Sequence, residues 1–446
     1  MSPVLMKVLQ VILALSVLII IHEAGHFLWA RIFRIRVDKF FLFFDAWGVK
    51  LFSTRMPWFR KLFPASARWE TEYGIGWLPL GGYCKIAGMI DESMDTASLK
   101  QDPQPWEFRS KPAWQRLLVM VGGVLSNFLL AIVLFIAILA IWGDNYMPNT
   151  SPVYVNELGE ELGFRTGDRI LLYDDYAPED FLSLQADLAR RRVEKVTVLR
   201  GADTLVLYMD QSLMGAVVNT PGMLDIALPF VVDSIADTSP NLLSALRKGD
   251  RIVGVDGQET PYLQDAQKVL RLHPGEQLDV NVLRGEDTLS VAVQVDSLGM
   301  LGVFFRNPTL QHRDYSLLAA IPAGCSLAWH SVTSYLQDLR LVATPSTGAY
   351  KSVGSFIAIG QVFPSAWNWH QFLYILAMLS IMLGVMNLLP IPALDGGHIM
   401  FCLYEIFTGR KPSARFLTVA QLIGMALLFL LMFLAFGNDI SRLIHP

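Results

Sequence analysis

Four stretches of this sequence are apolar over about 20 residues, the length a helix needs to cross the hydrocarbon core of a bilayer. The first runs from about Val4 to Ala30, the second from about Leu117 to Trp142, the third from about Phe372 to Leu389 and the fourth from about Phe416 to Phe436. A lipid-exposed chain must satisfy its own backbone hydrogen bonds, so these stretches commit the sequence to membrane helices. The first has no small-residue cleavage site at its end and reads as a retained span. A mean hydropathy of +0.39 agrees with this, and a net charge of -4 gives no sign of a nucleic-acid partner. Cys84, Cys325 and Cys402 are too far apart for a CxxC metal site or a disulfide framework. Leu317 to Val342 is a weaker apolar stretch. It carries His330, Asp338 and Arg340 and reads as an amphipathic helix lying at the membrane surface.

Basic residues set an orientation, because cytoplasmic loops carry the excess of Lys and Arg. Arg31, Arg34, Arg36, Lys39, Lys50, Arg55, Arg60, Lys61 and Arg68 follow the first stretch, and Arg410, Lys411 and Arg415 separate the last two. Both loops are expected in the cytoplasm, with the long middle segment and both termini on the opposite side.

An N-terminal membrane part (1–142) is followed by a segment that repeats itself. Gly167-Asp168-Arg169-Ile170 returns as Gly249-Asp250-Arg251-Ile252. Leu199-Arg200-Gly201-Ala202-Asp203-Thr204-Leu205 returns as Leu283-Arg284-Gly285-Glu286-Asp287-Thr288-Leu289. A period of roughly 80–85 residues is domain-sized and divides the segment into 143–222 and 223–306. Alternating Val and Leu around a Gly turn predicts a β-hairpin at the end of each copy. The pair resembles two PDZ domains. Val255-Asp256-Gly257 in the second copy is typical of that family, whereas Leu172-Tyr173-Asp174-Asp175-Tyr176 in the first lacks the glycine. The resemblance implies α/β domains able to bind an extracytoplasmic peptide as an added strand. Two folded spacers with no ligand would show the same repeat. A juxtamembrane region (307–371) leads to the C-terminal membrane part (372–446).

The first stretch contains His22-Glu23-Ala24-Gly25-His26. A charged group at membrane depth costs about 3 kcal/mol on insertion scales, so polar residues there need a purpose. Residues four apart share a helix face, which lets His22 and His26 point ring nitrogens at one metal ion. Glu23 is adjacent and can reach a water without being a ligand, as in the HExxH arrangement. A three-ligand zinc site needs one more donor. Asn387-Leu388-Leu389-Pro390-Ile391-Pro392-Ala393-Leu394-Asp395-Gly396-Gly397-His398 offers Asp395, with His398 as a rival. The prolines stop the helix and the glycines permit close backbone approach. Broken backbone near a membrane is tolerated only where protein or a water-filled cavity covers it.

These two motifs resemble those of the site-2 protease family of intramembrane zinc metalloproteases. Asn387 to Gly396 fits N-x-x-P-x-P-x-L-D-G at every specified position, and the likeness covers nearly the whole chain. It implies Zn2+ held by His22, His26 and Asp395, with Glu23 as general base. It also implies an α-helical polytopic membrane protein of four transmembrane helices with two inserted PDZ-like α/β domains, in the bacterial inner membrane, with the site near the cytoplasmic side. Glu72 to Lys85 alternates like a strand pair. In the family the matching segment is a membrane-re-entrant β-hairpin, here at about 70–90, whose edge at Gly74, Ile75 and Gly76 would bind substrate. An ordinary cytoplasmic hairpin fits the same pattern. Gly122-Gly123-Val124-Leu125-Ser126-Asn127 permits tight helix contact. Asn127 matches a family asparagine near the site, with a plain interhelical hydrogen bond as the alternative. Ser352-Val353-Gly354-Ser355 departs from the Gly-Pro of relatives.

The resemblance implies regulated intramembrane proteolysis. Its substrates would be single-span proteins within the lipid bilayer, such as a trimmed anti-sigma factor or a signal-peptide remnant. Asn387 would offer its amide to the unwound substrate, and the PDZ pair would exclude bulky outer domains. A non-catalytic PDZ scaffold would need neither Glu23 nor the metal donors. A transporter would need a second ring of ionisable residues in the spans, which the sequence lacks.

Overall fold

The computed structural model describes residues 2–79, 81–89, 102–308 and 310–444. They divide into two compact units, one of residues 1–143, 314–340 and 351–446, the other of 144–313 and 341–350. In the first unit four helices have the length and composition to cross a membrane: Pro3–Ile32, Ala113–Trp142, Trp369–Leu388 and Arg415–Ser441. These are the first to fourth spans. Ser2 caps the first by accepting from the Leu5 amide, with Pro3 in its first turn, and Asn368 caps the third by accepting from Gln371. The first and second spans touch at Gly25 and Gly122. A side chain at Gly122 would lie 2.8 Å from the Gly25 carbonyl, and one at Gly25 would strike the Gly122 carbonyl. Only paired glycines let the two backbones come this close.

Leu317–Val342 is one helix, but it does not lie apart from the spans as a surface helix would. Its Leu327, Ala328, Val332, Tyr335 and Leu339 pack with Ala131, Phe135 and Ile138 of the second span and Ala377, Ile381 and Val385 of the third. Ala320, Gly324, Ala328 and Ser331 form its buried stripe. A stripe of small residues suits helix contact, and the polar residues between them disguise it in the sequence. At the far end of the fourth span Asp439 accepts from the Ser355 amide at 2.9 Å and the Ser355 hydroxyl at 2.5 Å. A proline at 355 would have neither donor.

Four strands follow the first span: β1 (Val37–Leu42), β2 (Lys50–Ser53), β3 (Glu72–Gly76) and β4 (Tyr83–Ile86), in the order β2-β3-β1-β4. This corrects the expected hairpin. β3 and β4 do not pair with each other, because β1 lies between them, parallel to β3 and antiparallel to β4. Nor do Gly74, Ile75 and Gly76 offer a free edge. Ile75 stands opposite Leu42 of β1 on one side and Phe52 of β2 on the other. The glycines answer to packing: a side chain at Gly74 would lie 2.5 Å from the Phe41 ring, and one at Gly76 would strike the Phe44 carbonyl. Leu80 and Ile90, in the stretch expected to form the hairpin, lie outside the described residues.

The second unit holds the repeat, and its geometry explains why two motifs recur together. Arg169 stands opposite Leu199 and Arg251 opposite Leu283, and each copy closes with a hairpin, Arg200 opposite Asp203 and Arg284 opposite Asp287. Buried Asp168 receives two hydrogen bonds from Arg200, each 2.8 Å, and buried Asp250 two from Arg284, each 2.7 Å. Each arginine also donates to a carbonyl, Gly163 or Ala245. A bidentate fork of this kind is among the stronger polar contacts, and Arg284's hydrogen bonds hold the Asp250 carboxyl below its usual range. The two cores are separate, one around Tyr173, Leu188 and Val198, the other around Ile252, Val280 and Val293. The first reaches past the expected limit at 222. The strand Leu224–Ile226 pairs with Val153–Val155, and Leu341 and Ala349 join the same core.

Candidate metal centre

His22 and His26 lie one turn apart on the first span, both buried. Asp395 opens the helix Asp395–Thr408, which starts after the Pro-containing turn at the end of the third span. In that turn Ala393 has φ +140°, a conformation that side chains other than glycine rarely adopt. Gly396 and Gly397 fit there because the Leu389 carbonyl and the Pro392 backbone fill the space of a side chain. The turn places Asp395 Oδ2 3.2 Å from His22 Nε2 and 3.3 Å from His26 Nε2, and the two nitrogens are 3.3 Å apart. A tetrahedral zinc with bonds of about 2.0–2.2 Å holds its ligand atoms about 3.3–3.5 Å apart, so the triangle fits. Asp395 Oδ2 is buried with no hydrogen-bond partner, an orphan that a cation would satisfy. Among the described residues His22, His26 and Asp395 are the group that could hold a metal ion, and His398 is not in it.

The second span sets the imidazole orientations. His26 Nδ1–H donates to the Val119 carbonyl at 2.9 Å. A carbonyl can only accept, so His26 Nε2 keeps a lone pair for a metal. His22 Nδ1 lies 3.0 Å from the Asn127 amide nitrogen, and Asn127 Oδ1 is buried without a partner. Ser380 of the third span donates to the Asn127 backbone carbonyl at 2.8 Å. The Asn387 amide comes within 3.5 Å of His22 Nε2. Both asparagines singled out from the sequence therefore meet at one histidine. The Glu23 carboxylate lies against the Cys84 backbone amide and interacts electrostatically with His26, His22 and Asp395. Cys84 belongs to β4, so the sheet reaches the site through that strand and not through Gly74–Gly76.

Several contributors are not legible in the sequence. Val119 and Cys84 act through their backbones and leave no side-chain signal. Arg116 and Glu405 form an ion pair that ties the start of the second span to the helix carrying Asp395. A side chain at Gly123 would strike His26 Nε2 and come within 2.9 Å of His22 Cε1. The Gly122-Gly123 doublet is its only trace, and taken alone it signals no more than helix contact.

Two imidazoles and a carboxylate aimed at one point, with a second carboxylate beside them and membrane-length helices carrying them, define a membrane-bound metallohydrolase. The pattern of Peptidase family M50 matches residues 10–431. The chain belongs to that family. It is similar to a candidate zinc metalloprotease of Xylella fastidiosa (strain Temecula1), 28% identical over 99% of this chain and 100% of the relative. It is equally similar to Protease RseP of Yersinia pestis, 28% identical, and to Regulator of sigma-E protease RseP of Salmonella typhimurium, 27% identical, each over 99% of this chain and 100% of the relative.

Proposed function

We propose that this chain is a zinc-dependent intramembrane protease that cuts substrates within their transmembrane segments. The observation that carries the reading is the donor triangle of His22, His26 and Asp395. Zinc held there supplies a Lewis acid for the scissile carbonyl and lowers the pKa of water to about 7. Glu23 is the general base: it takes a proton from the attacking water and passes it to the leaving amine. The Cys84 amide faces that carboxylate. With Nε2 of His22 turned to the metal, its Nδ1 carries the hydrogen, and Asn127 presents Oδ1 to accept it, since an amide can present either end. Asn387, beside His22 Nε2, is placed to donate to the substrate backbone.

A transmembrane substrate hides its peptide bonds in its own helix and must unwind before attack. The outer edge of β4, next to Glu23, offers a strand to pair with it. It takes the role expected of Gly74, Ile75 and Gly76. Following the resemblance to site-2 proteases, the substrates are a membrane-bound anti-sigma factor, already trimmed outside the membrane, and signal-peptide remnants. The PDZ-like pair would turn away untrimmed substrates.

The test is co-expression with a tagged single-span substrate of either kind. Glu23→Gln keeps size and hydrogen bonding but removes the base. It is expected to retain zinc while cleavage falls at least a hundredfold, within the usual range for general-base loss. Cleavage at the native rate by Glu23→Gln would reject the base assignment, and absence of cleavage by the native chain would leave a PDZ scaffold as the better description.

The chain is placed in the bacterial inner membrane with the metal centre near the cytoplasmic side and the repeat outside. In a chain lacking Cys325, a thiol label at Asp102→Cys should react only from the cytoplasm and one at Gln258→Cys only from outside. The reverse pattern would invert the topology.

A further inference from the structure

The segment joining β2 to β3 differs from the rest of the first unit. Residues 54–69 contain Arg55, Arg60, Lys61 and Arg68 and no Asp or Glu, with Trp58, Phe59, Phe63 and Trp69 interleaved. Phe59 is the inward anchor, its ring centroid 5.3 Å from that of Phe52 and 4.9 Å from that of Phe63. With Phe59 turned in, the short helix Pro57–Leu62 turns Trp58 and Leu62 out, 56% and 65% exposed. Trp47 is held out by a left-handed backbone, φ +54°, and stacks on Trp77 at 5.6 Å. Arg60, Lys61 and Arg68 have no ion-pair partner among the described residues. Beside them opens a cleft of about 620 Å³, lined by Arg31 at the end of the first span and by Arg68, Trp69, Glu70, Thr71 and Tyr73.

None of these side chains serves the metal centre. Indole rings exposed among uncompensated cations, at the end of a membrane-crossing helix, have the chemistry of the headgroup layer. The aromatics alone would suit any bilayer. The cations would not, because a zwitterionic surface offers them no net attraction, whereas an anionic leaflet does. Glu70, 3.3 Å from Arg31, offsets one cation and leaves Arg68 facing the cleft.

We propose that this cleft and the 54–69 segment form a binding site for an anionic phospholipid headgroup. Arg31 and Arg68 flank its phosphate, Trp69 packs beside it, and Arg60 and Lys61 draw it from the leaflet. The site bears on catalysis through the sheet: β2 and β3 flank this segment, and β4 of the same sheet brings Cys84 against Glu23.

The test titrates the purified full chain in detergent with phosphatidylglycerol or phosphatidylcholine of equal chain length and counts bound lipid by native mass spectrometry. Phosphatidylglycerol is expected to be retained at least about fivefold over phosphatidylcholine, the factor that one well-placed cation supplies. Arg60→Gln/Lys61→Gln/Arg68→Gln should bring the two to parity with zinc content unchanged. The milder Arg60→Gln/Lys61→Gln, which leaves the cleft lining unchanged, should at least halve the preference. Millimolar glycerol 3-phosphate should leave the lipid bound. Parity in the native chain, or a preference that survives both substitutions, overturns the proposal. Displacement by glycerol 3-phosphate would make free phosphate the occupant and overturn the lipid assignment.

Discussion

Gly123→Ala is expected to lower zinc content at least tenfold and to abolish cleavage, although the changed residue is neither a ligand nor a base. The added methyl would strike His26 Nε2 and lie 2.9 Å from His22 Cε1, too close to both rings. Neither ring is free to step aside. His26 is tied to the Val119 carbonyl and His22 to Asn127, and the two helices cannot separate easily where Gly25 meets Gly122. Overpacking a core costs about 1–3 kcal/mol, which a folded protein usually survives. Loss of a group that merely orients a ligand costs about 10–100-fold in metal affinity, and here the displaced atom belongs to a proposed ligand. Gly437→Ala is the control. Its methyl would meet nothing within 4 Å, and zinc should stay. Zinc measured by plasma mass spectrometry at the native level in Gly123→Ala would show that the imidazoles do not hold the metal as assigned.

Asp395→Ala should have a comparable effect by a different route, leaving two imidazoles where three donors stood. Zinc content is expected to fall below a tenth of the native level. A thermal signature should accompany it. A ligand bound only by the folded state stabilises it by about 4 kcal/mol at 1,000 times its Kd. The melting temperature of the native protein should therefore drop when zinc is chelated, and that of Asp395→Ala should barely respond. A variant that keeps its zinc and its chelator-sensitive melting would move the third ligand elsewhere, with His398, one turn along the same helix, the first candidate.

What can be read from the sequence is local. The spans are continuous apolar runs, and His22 and His26 meet because four residues make about one helical turn. Asp395 is legible because prolines and glycines break the backbone beside a span only where protein covers it, and a carboxylate in that break needs a cation. The failures share a cause, which is pairing between parts distant in sequence. β3 and β4 carry the alternation of adjacent hairpin strands, and nothing near them announces that β1 will lie between. Gly74 and Gly76 look like permissive strand glycines until Phe41 and Phe44 arrive. In Leu317–Val342 the charged residues draw attention, while the stripe Ala320-Gly324-Ala328-Ser331 acquires meaning only from its neighbours in the second and third spans. The repeated Asp and Arg are visible as letters, but that they bond to each other is not.

The proposed metal donors lie far apart along the chain, His22 and His26 on the first span and Asp395 between the third and fourth. At about 5–20 residues per second of synthesis, roughly 20–75 s separate His26 from Asp395. Through that interval the nascent protein holds two histidines and Glu23 in the bilayer with no third donor to close the triangle. If the proposed site is right, it can sit beside other newly inserted membrane segments without being able to cut them, and its activity switches on only once Asp395 has been made and has joined the first span. The Asp395→Ala protein is a permanent copy of that unfinished state.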